Sequence, residues 1–253
     1  MSAPARRLAE LRVAAMLLTR LPVGRLAGHV PTLAAARWAY PLVGAGVGVV
    51  MWAVCAGAAE LGLPPGISAL LAVAAGVLAT GGLHEDGLAD LADGFGGGRD
   101  RARKLEIMRD SRIGSYGVLA LAIVLGLKVQ AMAGVAGSAP PLGPFVALAA
   151  GSRFAMLAVL EALPPARADG LGHAAGETGG WRPWAGLAVA LAVMLPLGGA
   201  ALGLLAALAL AAVAVAVLAK RQIGGQTGDV LGAVQQVSDG AGWLAALLLL
   251  GGG

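Results

Sequence analysis

Three carboxylates, Asp86, Asp90 and Asp93, stand in "DGLADLADG" at spacings of four and three. On a helix turning 100° per residue they fall within roughly 60° of arc. Acids that close repel one another and raise each other's pKa unless a cation sits among them. Hard oxygen ligands suit Mg²⁺, Mn²⁺ or Ca²⁺. The spacing is not that of an EF-hand, whose ligands alternate within a turn. The expected chemistry is that of a carboxylate-held divalent cation.

The neighbouring segments extend this reading. "GFGGGRDRARK" follows the acids, and glycine amides and cations beside a metal suit a phosphate-bearing ligand. "LEIMRDSRIGSYG" comes next, where Asp110 is a candidate to complete the metal shell. In "GGQTGDV", Gly224 and Gly225 give backbone freedom. Thr227 or Asp229 is placed to cap the following helix, and Asp229 is a further candidate ligand. No Gly-Lys-Ser/Thr follows, so this is not a P-loop. His84 would point to nearly the opposite face from Asp86 on a continuous helix, while His29 and His173 belong to no constellation. Cys55 is the single cysteine, read as a buried thiol.

The elements that must carry these residues are apolar. The chain of 253 residues is 58% hydrophobic and 13% charged, against about 25% charged in soluble domains. Its mean hydropathy is +0.81. Spans of roughly 20 apolar residues are expected over 38–60, 66–83, 113–136, 143–163, 183–199, 201–219 and 228–250. The last is interrupted by Gln235, Gln236 and Asp239. Arg153 and Lys128 fall inside spans, where a charge costs about 2.5–3.5 kcal/mol. Arg153 should therefore face the interior and meet an acid or a phosphate, and Lys128 could snorkel. Before the first span, Leu8, Leu11, Ala15 and Leu18 recur at helical spacing, as in a surface-lying amphipathic helix. Glu10, Arg12 and Arg20 interrupt any signal-peptide core.

The segments 1–37, 84–112, 164–182 and 220–227 hold sixteen of the eighteen Lys and Arg residues. The positive-inside rule then sets the N-terminus in the cytoplasm. This sorting accounts for the net charge of +4 without nucleic acid. The fold class is all-α: one polytopic inner-membrane helical bundle over 1–253, with about six or seven spans. The segments 81–117 and 220–233 face the cytoplasm together. A homo-oligomer is compatible with this sequence. Bottom-up, the chain is a metal-dependent enzyme for a phosphorylated substrate at a membrane surface.

Six stretches carry a resemblance: "TRLP", "YPLVG", "GGLHEDGLADLADG", "LEIMRDSRIGSYG", "SR" at Ser152–Arg153 and "GGQTGDVLGA". In this order they resemble the adenosylcobinamide-GDP ribazoletransferase (cobalamin synthase) family. The resemblance implies a Mg²⁺-dependent membrane enzyme. It would join adenosylcobinamide-GDP to α-ribazole or its 5′-phosphate and release GMP. It further implies Asp86, Asp90, Asp93 and Asp110 as the catalytic, metal-holding acids. Arg109, Arg153 and the loop of Gly224, Gly225, Thr227 and Asp229 would hold phosphates. Glu85 departs from the family pattern, as do Gln235 and Gln236. "DLADG" is also similar to the start of the CDP-alcohol phosphotransferase motif, so a phospholipid synthase is the alternative. A cation-coupled transporter comes third, since its charges should lie nearer the bilayer midplane.

Overall fold

The computed structural model describes residues 2–24, 26, 30–168 and 180–251. His29 and His173 lie outside the described residues. The helices are α1 (Ala3–Leu18), α2 (Leu33–Ala36), α3 (Tyr40–Glu60), α4 (Pro65–Thr80), α5 (Leu83–Gly97) and α6 (Arg101–Ile107), followed by α7 (Ser115–Ala136), α8 (Leu142–Ala162), α9 (Arg182–Met194), α10 (Ala200–Ile223) and α11 (Gly228–Leu250). Among the described residues there is no strand, only an isolated bridge between Pro165 and Gln226.

Five helical stretches are long and apolar enough to cross a membrane: Leu33–Glu60 and helices α7, α8, α10 and α11. The bent pair α4–α5 makes a sixth if it counts as one span, and Arg182–Leu197 is shorter. The packing is inverted relative to a water-soluble protein. Leu78, Leu202, Leu210 and Leu248 face outward, while Glu10, His84, Lys128, Arg153 and Asp239 are buried. Apolar exteriors around polar interiors are what a hydrocarbon solvent favours.

The second span ends earlier than its hydropathy suggests. Gly81 and Gly82 both adopt positive φ, at 70° and 72°. Glycine enters this left-handed region without the Cβ clash, so α4 stops there. The chain leaves as α5 at an angle of 91° to α4. The acids therefore do not continue α4. Glu85 and Asp86 instead occupy the first turn of a new helix, where the helix dipole favours negative charge. Because α5 crosses the direction of α4 and packs on the N-terminal turns of α7 and α11, we read it as lying outside the spans.

Helix α11 is central, packing against α5, α7, α8 and α10. Gln235, Gln236 and Asp239 do not interrupt it, because each is buried with a partner. Gln235 donates to Ser152 Oγ at 3.1 Å. Gln236 donates to Glu85 Oε1 at 2.8 Å and to Gln235 Oε1 at 2.9 Å. Asp239 pairs with Lys128 at 2.5 Å, both nearly fully buried. Lys128 therefore does not snorkel. Cys55 is fully buried in the α3–α4 region of the core, as expected.

Helix α1 forms over the expected residues, with Leu18 buried and Leu11 and Ala15 packed against the core, whereas Leu8 is half exposed. Glu10, Val13 and Ala14 also turn inward. The Glu10 carboxylate has partners there. It accepts from Arg7 at 2.6 Å and from the Trp38 indole at 2.8 Å, and a buried charge needs such partners.

Candidate active site

The close crossing of α5 and α11 places the acids. Gly87 and Gly232 face each other across it. A Cβ on Gly87 would stand 3.1 Å from Asp229 Cα, and one on Gly232 would stand 3.2 Å from Gly87 Cα. Only bare backbone permits this approach, so the first turns of both helices meet. Asp86 and Asp90 from α5 thereby come to Asp229 from α11. Burial, then the charges of Asp86, Asp229 and Asp93, push the Asp90 carboxyl up to about 7, against a partial lowering by Arg167. Asp86 is exposed and Asp90 only partly buried, so both can meet a ligand from outside.

Asp229 is held in place from two sides. The Arg167 guanidinium donates to its Oδ2 at 3.2 Å, and the Thr227 hydroxyl donates to the same oxygen at 3.1 Å. Thr227 caps α11 by accepting from the Val230 N–H. Gly224 ends α10 in the left-handed conformation. Gly225 lies against Pro164, whose carbonyl a side chain there would strike. The backbones bond in both directions: Ala166 donates to Gln226 O at 2.8 Å, and Gln226 donates to Pro164 O at 2.9 Å. Arg101 fastens this junction, donating to Ile223 O and Ala166 O at 2.8 and 2.7 Å.

Two of the four expected metal-holding acids are committed elsewhere. Both oxygens of Asp93 accept backbone N–H groups, from Gly114 at 2.7 Å and Gly117 at 2.9 Å. Helix α7 has no side-chain cap of its own, so α5 supplies it. Asp110 is gripped by the guanidinium of Arg112 through bonds of 2.7 to 3.2 Å. That pairing holds its carboxyl down at about 2. Arg109 lies exposed on the turn after α6. Arg153 faces the interior as expected, and its acidic neighbours there are Asp239 and Glu85. It also donates to Ala149 O at 3.1 Å.

No group of three or more His, Cys, Asp or Glu side chains among the described residues forms a ready metal shell. The four expected acids are not gathered as one such group among the described residues. An open site of two carboxylates is a different matter. Mg²⁺ is commonly held by one or two carboxylates, with waters and substrate phosphates completing its octahedron. Asp86 and Asp90, mutually repelling and accessible, fit that pattern.

Several contributors carried no usable sequence signal. Arg167 lies in a Pro-rich turn, and Arg101 reads as one more topology-directed cation. His84 is buried, and neither ring nitrogen has a hydrogen-bond partner among the described residues. It lines a cavity together with Asp86 and Asp229, although helical spacing alone sets it on another face.

Known proteins give this site its context. A profile of cobalamin-5-phosphate synthase matches residues 10–247. A protein from Mesorhizobium japonicum, described as adenosylcobinamide-GDP ribazoletransferase, is 44% identical over 98% of this chain and 96% of its own. One of the same description from Bradyrhizobium diazoefficiens is 47% identical over 92% and 90%. A third, from Azorhizobium caulinodans, is 44% identical over 95% and 96%. No solved structure matches the chain. These likenesses favour neither a phospholipid synthase nor a transporter, and the chain belongs to the cobalamin-5-phosphate synthase family.

Proposed function

We propose that the acidic end of the bundle, where α5 crosses α11, is the site of ribazole transfer. The chain is a transferase of the final step in assembling the cobalamin nucleotide loop. It joins adenosylcobinamide-GDP to α-ribazole, or its 5′-phosphate, and releases GMP. The observation that carries the location is the Gly87–Gly232 crossing, which brings Asp86 and Asp90 beside Asp229.

Asp86 and Asp90 would hold Mg²⁺, or Mn²⁺ in its place. Once bound, the cation supplies charge neutralisation at the pyrophosphate and at the departing GMP. The ribazole hydroxyl oxygen forms a bond to the phosphorus that carries cobinamide. The bond from that phosphorus to the GMP oxygen breaks, and the hydroxyl proton is released. Arg167 and Thr227 orient Asp229, while Arg109 offers a cationic contact for phosphate. Asp93 and Asp110 shape the turn that leads into α7 from the acidic end.

The membrane placement follows from charge. The acidic end carries the Lys- and Arg-rich segments 84–112 and 220–227. The positive-inside rule then turns this end, with the N-terminus, to the cytoplasmic face of the inner membrane.

Purified protein with Mg²⁺, adenosylcobinamide-GDP and α-ribazole should yield GMP and a completed corrinoid. Active-site failure would be evident if folded, detergent-stable protein gave neither product.

A further inference from the structure

Two cavities flank Asp86. The wider one has a volume of about 700 Å³ and includes Arg20, Thr19 and the Gly81–Gly82 elbow in its wall. The smaller one, about 200 Å³, lies toward α8 and α11. Leu17, Leu83 and Asp86 belong to both walls and so form the partition between them. An enzyme that joins a large substrate to a small one needs two such chambers meeting at the reacting group.

The smaller chamber has a defined chemistry. Leu18, Leu33, Met156 and Leu160 make its sides apolar. Asp86 and Asp229 stand at its wall, and His84 and Tyr40 are buried residues with polar atoms that line it. Both imidazole nitrogens lack a hydrogen-bond partner among the described residues. Leaving a buried polar group unsatisfied is costly, so a ligand that satisfies it gains specificity. An imidazole offers an N–H donor to such a ligand. As for size, an apolar cavity of about 150 Å³ accommodates benzene, so this one suits a fused two-ring heterocycle better than a nucleotide or a corrin.

We propose that the small chamber seats the benzimidazole base of the ribazole substrate, with the His84 N–H donating to its free ring nitrogen. This rests on the ribazole-transfer reading given above. The base lies between the leucines and Met156, and its ribose projects toward Asp86 and Asp229. The corrinoid nucleotide approaches from the wider chamber. Two chambers on either side of one carboxylate give each substrate its own entrance to the shared reacting group.

The test measures equilibrium binding of radiolabelled α-ribazole to full-length protein in detergent, without Mg²⁺ or the second substrate. Leu160→Trp fills the chamber, and His84→Phe removes the donor while keeping an aromatic ring. Each should weaken α-ribazole binding by about tenfold, the equivalent of 1.4 kcal/mol. The KM for adenosylcobinamide-GDP should stay within about twofold, since uniform loss at one subsite leaves the other untouched. The native protein supplies an independent arm. The riboside of dimethylindole, which lacks the acceptor nitrogen, should bind about tenfold more weakly than α-ribazole, a difference that His84→Phe should abolish. Unchanged α-ribazole affinity in both variants, or full retention of the indole analogue by native protein, would overturn the assignment. Absence of turnover by native protein that still binds α-ribazole would instead count against the transfer reading alone.

Discussion

The carboxylate of Asp93 accepts the backbone N–H of Gly117 at 2.9 Å, joining α5 to the first turn of α7. The same group takes the Gly114 N–H, so a residue from one helix performs the capping of another. Asp93→Ala should lower thermal stability by about 1–2 kcal/mol, as expected for loss of a helix cap. Asp93→Asn should lose less, because one oxygen remains an acceptor. Thermal unfolding in detergent, followed by circular dichroism, reads this directly. Equal melting temperatures for native protein and Asp93→Ala would remove the capping role.

Asp86 and Asp90 should behave in the opposite way. Asp86→Asn and Asp90→Asn are expected to reduce turnover by on the order of 10²-fold or more, the scale of losing an electrostatic contact made in the transition state. Helix content should be unchanged. Asp110→Asn, which only loosens a surface pairing with Arg112, should keep most of its Mg²⁺ affinity. A loss of affinity there as large as in Asp86→Asn would restore Asp110 to the metal shell.

Asp90 also predicts a pH dependence. Its folded carboxyl is raised from 3.8 to about 7. Below 3.8 it is protonated in both folded and unfolded chains. Between that value and about 7 the folded chain keeps a proton that the unfolded chain has released. Stability of the metal-free protein should therefore fall as pH rises through this window. Mg²⁺ binding should displace the proton and tighten toward pH 8, a value chosen roughly one unit above the titration. Calorimetric titration in two buffers of different ionisation enthalpy counts the released proton, and a buffer-independent heat would contradict the prediction.

The Lys128–Asp239 pair is a buried ion pair between α7 and α11. Removing one partner alone, by Lys128→Met or Asp239→Leu, should cost about 3–5 kcal/mol by stranding the other charge. The double substitution should recover a large part of that loss. A double-mutant cycle in thermal unfolding gives the coupling, and strictly additive losses would show that the two charges act separately.

Much of this architecture is legible in the sequence, because long apolar runs leave a lipid-facing chain little choice but helix. The limits of α3, α7, α8, α10 and α11 lie within a few residues of the expected spans. The elbow is harder to read. Gly81 and Gly82 sit inside a run that hydropathy treats as continuous, and only their backbone angles show that the acids begin a new helix. Candidate acids can be recognised by type and spacing, but their partners cannot. That Asp93 faces the α7 amides, or that Asp229 is held by Arg167, depends on how helices far apart in sequence cross. The polar residues of α11 look like defects in a span until the side chains opposite them are known.

Those polar residues bear on how the protein is made. Helix α11 has the lowest hydropathy of the five long apolar stretches, 1.2 against 2.7 for α10. On its own it gains little from entering lipid, and the Gln235, Gln236 and Asp239 side chains oppose entry. Their partners, Ser152, Glu85 and Lys128, all belong to helices synthesised earlier. Helix α11, made after all three, thus enters a slot whose polar partners are already in place. The acidic end is joined to Asp229 only once α11 has been made.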